Sequence, residues 1–238
     1  MVAGYPDRER SRDVARAFID GGAQYLEVQF PFSDPSLDGP VIQSACTRAL
    51  DAGFRVNDGF DLVREISSLT DKPIFIMSYG NLVFVRGVDR FVKDARAAGA
   101  YGLIVPDLPF GHDEGLFDFG KSYGLEVAAV VSPSVSDARL RAICDATTGY
   151  IYASLRVGIT GNETSIDHES LSFLIRIGKY GKKILAGFGV ASHEQVSRIA
   201  PHVHAVVVGS ALIRRIEEIG DGLIYTQLRA KVAELAGS

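Results

Sequence analysis

The sequence predicts a single (β/α)8, or TIM, barrel, and three observations lead there. The chain has 238 residues, close to the roughly 250 typical of that fold. Short apolar, strand-like runs alternate with amphipathic helical stretches along its whole length, and that order implies right-handed parallel crossovers. Several of the runs are apolar throughout, Ala205-Val-Val-Val among them, as parallel strands covered on both faces must be. A doubly wound nucleotide-binding sheet would instead need a Gly-rich turn after its first strand. The one G-x-G here, Gly187-Phe-Gly189, comes late and lacks the third glycine. No linker or low-complexity tract interrupts the series, so residues 1–238 are expected to form one domain.

The first strand is the stub Met1–Ala3 ahead of Gly4-Tyr5-Pro6, short or truncated at the N-terminus. Seven fuller strands follow: Tyr25–Val28, Ile74–Met77, Gly102–Val105, Glu126–Val131, Tyr150–Ala153, Lys183–Ala186 and Ala205–Val208. Between them, helical spacing marks buried stripes. One is Val41, Ile42, Ala45, Cys46, Ala49 and Leu50, and others contain Leu171, Leu174 and Ile175, or Val196 and Ile199.

Composition narrows the function. A net charge of −4 provides no general basic field for nucleic acid or anionic membrane. The start becomes charged at once, unlike a signal or transit peptide, and no apolar run approaches the ~18 residues that span a bilayer. A soluble, cytoplasmic protein is expected. Cys46 and Cys144 fall in helix-like segments without C-x-x-C and read as reduced core thiols. His112, His168, His193, His202 and His204 show no metal-ligand spacing, so no metal site is assigned. Neither a G-x-S-x-G elbow nor a P-loop is present.

The most informative segment is Leu26-Glu-Val-Gln-Phe-Pro-Phe-Ser-Asp-Pro-Ser-Leu-Asp-Gly-Pro40. Glu27 lies inside an apolar strand, where a charge is costly unless used or paired. Asp38 closes the next loop, just before a Gly-Pro that opens a helix. Two carboxylates so placed are common equipment for moving protons on a substrate. The same residues also admit a plainer reading, in which Glu27 ends its strand in water and Asp38 caps the helix. Glycine turns follow the last three strands: Arg156-Val-Gly-Ile-Thr-Gly161, Gly187-Phe-Gly189 and Gly209-Ser210. Barrels often bind phosphate with the loops after strands 7 and 8, so Gly189, Gly209 and Ser210 are the expected cradle.

On these residues the chain resembles the α subunit of tryptophan synthase. The L-E-x-x-x-P-F-S-D-P-x-x-D-G-P signature is nearly complete, and the likeness continues through Tyr79-Gly-Asn-Leu-Val-Phe84, Val105-Pro-Asp-Leu-Pro109, Gly149-Tyr-Ile-Tyr152, Gly158-Ile-Thr-Gly161, Gly187-Phe-Gly-Val190 and Gly209-Ser-Ala211. The resemblance implies cleavage of indole-3-glycerol phosphate to indole and glyceraldehyde 3-phosphate, in complex with a β subunit. It implies no cofactor in this chain, pyridoxal phosphate belonging to the partner. By position, Glu27 would be the acid–base residue and Asp38 the acceptor of the indole N–H. Tyr152 and Phe188 would line the indole pocket, and Gly161, Gly189, Gly209 and Ser210 would hold the phosphate. Thr160 would sit on a loop that closes over Asp38, and Pro31, Asp34, Asn81 and Asp107 would meet the β subunit. The sequence departs from the pattern at Gln29, where the family has glycine and the side chain is expected to crowd or rearrange the pocket floor, and at Leu37, which replaces a small residue. Two further readings stay open at this point: an impaired barrel that only activates a β subunit, and a stand-alone indole-releasing lyase.

Overall fold

Every strand pairing among the described residues is parallel. The computed structural model describes residues 1–155, 168–187, 189–219 and 223–237. In order, its elements are α1 (Arg8–Asp20), β1 (Leu26–Gln29), α2 (Pro40–Asp51), α3 (Val56–Ser67), β2 (Ile74–Met77), α4 (Gly80–Arg86), α5 (Val88–Ala97), β3 (Gly102–Ile104), α6 (Leu116–Tyr123), β4 (Glu126–Val127), β5 (Ala129–Val131), α7 (Asp137–Ala146), β6 (Tyr150–Ser154), α8 (His168–Gly178), β7 (Lys183–Gly187), α9 (His193–Ile199), β8 (Ala205–Val206), α10 (Ser210–Glu218) and α11 (Ile224–Ala236). This is the (β/α)8 barrel that the alternating pattern predicts.

Two arcs make the wall, β1-β2-β3-β4 and β5-β6-β7-β8. They meet within the expected strand Glu126–Val131, which the structure divides at Ala128. Its first half pairs with β3 and its second with β6, while the Ala128 N–H still reaches the Leu103 carbonyl at 2.9 Å. Stagger between tilted staves explains the division, because each neighbour overlaps a different half of the strand. The expected first stave is a single bridge, Val2 to Gln29, held by Ala3 N–H to Gln29 O at 2.9 Å and Gln29 N–H to Met1 O at 2.8 Å. Among the described residues, no backbone hydrogen bond joins that stub to β8. An apolar slot of about 340 Å³ opens at this seam, lined by Phe18, Tyr25, Val206, Leu212, Val232 and Leu235 among others.

Period-2 alternation sorts each strand's side chains. Outward, Val28 and Phe30 meet the helices. Phe30 is sealed within Phe54, Phe60 and Phe91 at ring-centroid distances of 6.3, 5.2 and 6.2 Å. Gly59 on α3 is what admits it, since a Cβ there would lie 2.7 Å from the Phe30 ring. Truncating such a ring costs about 3–5 kcal/mol. Inward, Tyr25, Phe75 and Tyr150 plug the lower end with edge-to-face contacts, Phe75 to Tyr150 at 5.3 Å, and Lys183 Nζ donates to the Tyr150 hydroxyl at 3.3 Å. The next inward layer contains Glu27, Met77, Ile104 and Tyr152, above the plug and open to the mouth.

The helix stripes hold with one correction. Ile42, Ala45, Cys46 and Ala49 are buried on α2, and Cys46 and Cys144 are free and buried. On α8 the inner face is Ser170, Phe173, Leu174 and Ile177, and Ile175 is 52% exposed. At 100° per residue, Ile175 turns away from the Leu174 direction while Ile177 returns to it. No helix of the described residues is long and apolar enough to cross a membrane.

Candidate active site

Strand β1 supplies the first carboxylate. Leu26 and Val28 face the helices, so Tyr25, Glu27 and Gln29 face inward. Glu27 as a residue keeps some accessible surface, yet its Oε2 is shut off from solvent and has no hydrogen-bond partner among the described residues. Such an atom costs about 1–3 kcal/mol, more if charged. Burial pushes the Glu27 carboxyl up to about 7, against the pull of the Met1 amine, and the Asp38 charge adds to the push. The strand does not end in water there, and the plainer reading of Glu27 fails.

The loop after β1 delivers the second carboxylate. Asp34 organises it, accepting from Ser33 Oγ at 2.6 Å, and its carbonyl takes the Ser36 N–H at 2.8 Å. The Asp38 N–H then turns back to Pro35 O at 2.9 Å, and α2 begins with Gly39 at the cap and Pro40 at its first position, without a side-chain cap. Asp38 therefore does not cap the helix. Its carboxylate turns inward and is buried, and Oδ2 accepts both the Gln29 amide at 2.7 Å and the Tyr79 hydroxyl at 2.8 Å. Burial raises its proton affinity above the ordinary aspartate value, and these two donors oppose the rise. Tyr79 is held in turn, accepting the Leu37 N–H at 3.2 Å.

Glu27, Gln29, Asp38, Tyr152, Gly189, Gly209 and Ser210 line one cavity of about 80 Å³ at the carboxyl ends of the strands. Six of the nine expected catalytic and substrate-contacting residues are among them. The other three, Thr160, Gly161 and Phe188, lie outside the described residues. Tyr152 is buried, and burial followed by the Glu27 and Asp38 charges keeps its hydroxyl protonated. Gly187 makes room for it, because a Cβ there would come within 3.1 Å of the Tyr152 hydroxyl and 2.9 Å of Val207. Gly189 has φ +82°, a conformation glycine adopts without strain. A Cβ on Gly209 would meet no described atom within 4 Å. It is the cap of α10, whose N-terminal N–H groups suit an anion.

The expected partner rim is only partly on the surface. Asp34, Asn81 and Asp107 are exposed, whereas Pro31 is buried. Asp107 has a structural task as well, since both its oxygens accept from Gly80 N at 2.8 and 3.0 Å and start α4. The Gln29–Asp38–Tyr79 cluster was not read from the sequence as a contact. Its members lie up to 50 residues apart, and only the placement of Gln29 two residues after Glu27, hence on the same strand face, signalled that it would enter the pocket.

The family model described as tryptophan synthase alpha chain matches residues 1–236. The tryptophan synthase alpha chain of Helicobacter hepaticus is 38% identical over 226 residues, covering 92% of this chain and 85% of that one. That of Thermococcus kodakarensis is 37% identical over 239 residues, covering 100% and 94%. Among solved structures, Mycobacterium tuberculosis tryptophan synthase is similar with a TM-score of 0.91 at 33% identity, over 100% of this chain and 89% of that chain. A mutant α-subunit from Pyrococcus furiosus gives 0.90 at 33% identity, over 100% and 96%. With sequence and structure alike over nearly the whole length, and with two carboxylates brought into one barrel mouth, the chain belongs to the tryptophan synthase alpha chain family.

Proposed function

We propose that this chain, as one barrel domain, is the lyase that cleaves indole-3-glycerol phosphate to indole and glyceraldehyde 3-phosphate in tryptophan biosynthesis, working in the cytoplasm with a tryptophan synthase β subunit. The observation that carries the reading is the Glu27 carboxyl, poised near neutrality and with its Oε2 buried and unpartnered among the described residues, in the same cavity as a second carboxylate held by two donors.

The chemistry follows from that pair. Protonated Glu27 delivers its proton to C3 of the indole ring, leaving a cationic ring nitrogen. The resulting carboxylate then takes the proton of the side-chain hydroxyl next to C3. The carbon–carbon bond breaks, its electron pair returns to the ring as indole, and the hydroxyl carbon leaves as the aldehyde. Glu27 ends protonated, as it began. A group with a proton affinity near the working pH is the best placed to serve both steps. Asp38 accepts the ring N–H and balances the positive charge that grows on nitrogen, a fixed electrostatic role. Tyr152 and Phe188 line the ring site, and Gly161, Gly189, Gly209 and Ser210 hold the phosphate. Thr160 is the residue expected to meet Asp38 when substrate binds, and Asp34, Asn81 and Asp107 face the β subunit. The chain itself requires no cofactor, pyridoxal phosphate being the β subunit's. Indole release from indole-3-glycerol phosphate, assayed with and without a β subunit, tests the proposal, and a wild-type chain that releases none in either case refutes it.

A further inference from the structure

We propose that Gln29 is a positioning residue for Asp38: with Tyr79 it saturates Oδ2 and thereby presents Oδ1 to the ring N–H of the ligand. The inference rests on the indole-releasing reading and adds to it a residue and an atom.

The geometry is specific. Gln29 Nε2 and the Tyr79 hydroxyl approach the same oxygen from two elements, at 2.7 and 2.8 Å. A carboxylate oxygen has two good acceptor positions, so Oδ2 is filled. No described donor reaches Oδ1, which belongs to a cavity-lining residue. Gln29 is itself buried, and its amide nitrogen also lies 3.8 Å from Cys46 Sγ on α2. The amide therefore has one strong acceptor, and the Asp38 carboxylate cannot rotate without breaking two charge-assisted bonds. A glycine at position 29 would leave Tyr79 alone to hold the group.

Several other titratable groups surround Asp38: Glu27 on β1, Cys46 on α2, Tyr79 after β2 and Tyr152 on β6. Burial raises the Cys46 thiol to about 12 and drives both tyrosines upward, Glu27 rises to about 7, and burial lowers the Met1 amine that lines the same cavity from its ordinary 8.0. A pH profile of kcat/KM then has an acid limb, where Asp38 must lose its proton, and an alkaline limb, where Glu27 loses the one it donates. Gln29 donates to Asp38 and to nothing on Glu27, so its removal acts on one limb.

The test is Gln29→Met, which keeps length and volume and removes the donor. In the complex with the β subunit it should lower kcat/KM about tenfold or more, the size expected for one hydrogen bond to a charged group. The acid limb should move to higher pH with the alkaline limb unmoved. In the ligand-free protein the Asp38 carboxyl carbon, followed by NMR, should titrate at higher pH than in wild type, a readout that needs no turnover. An unchanged Asp38 titration together with an unchanged acid limb overturns the inference, even if stability falls. Should wild type release no indole while Gln29→Met still raises the Asp38 titration, the lyase reading fails and the positioning role stands. A variant that does not fold is replaced by Gln29→Leu in the same measurements.

Discussion

Replacing Glu27 by glutamine separates the chemical role of this residue from its structural cost. The carboxyl is nearly isosteric with the amide, its Oε2 has no hydrogen bond to lose, and burial raises its proton affinity from 4.5 to about 7. In the unfolded chain the group ionises near 4.5, while in the folded chain it stays protonated until about 7. Between those values the unfolded state has lost a proton that the native state keeps, so stability falls as pH rises, and the loss is complete above 7. At about 1.4 kcal/mol per tenfold, the difference is worth about 3 kcal/mol. Glutamine does not titrate. Relative to wild type, Glu27→Gln should therefore gain about 3 kcal/mol between pH 4 and pH 8, roughly 2–4 °C in Tm per kcal/mol for a chain of this size. Over the same range it should lose indole release by 10²–10⁴-fold or more, because an amide cannot shuttle the proton. Urea unfolding at several pH values and an indole assay read the two effects. A variant with wild-type turnover refutes the catalytic role. One whose stability shows the same pH dependence as wild type refutes the buried, protonated carboxyl.

Other outcomes follow from the same geometry. Asp38→Asn should cost about 10²–10³-fold in kcat, as loss of a fixed electrostatic partner typically does, and circular dichroism should show the fold intact. Gly209→Ala should leave Tm unchanged, since its Cβ points into space free of described atoms, yet weaken phosphate-containing ligands measurably by calorimetry. Unaltered affinity there would remove Gly209 from the phosphate site. An Asp34→Lys change on the exposed rim should weaken β-subunit binding by size-exclusion or calorimetric assay, and equal binding would place the interface elsewhere.

How far the fold was legible depends on what each residue reports. Continuous apolar runs such as Ile74–Met77 declare a strand buried on both faces, and the structure places β2 at those residues. The break at Ala128 was not legible, because it arises from the stagger of β3 and β6 on either side, which no local pattern in 126–131 encodes. Ile175 misled because apolar character alone cannot tell an inner from an outer helical position when Leu174 and Ile177 already fill the inner face. At the site, Glu27 announced itself as a charge in an apolar strand. Asp38 was ambiguous, since a carboxylate before Gly-Pro is equally a helix cap. Only Gln29 and Tyr79, brought to its Oδ2 from other parts of the chain, turn it into the cavity.

The most direct measurement of the central claim is indole release by the purified chain from indole-3-glycerol phosphate, with wild type and Glu27→Gln assayed side by side, each with and without a tryptophan synthase β subunit. Wild type should release indole and one equivalent of glyceraldehyde 3-phosphate, faster with the β subunit present, and Glu27→Gln should release almost none in either condition. Indole release that survives in Glu27→Gln, or that is missing from wild type even in the complex, contradicts the account.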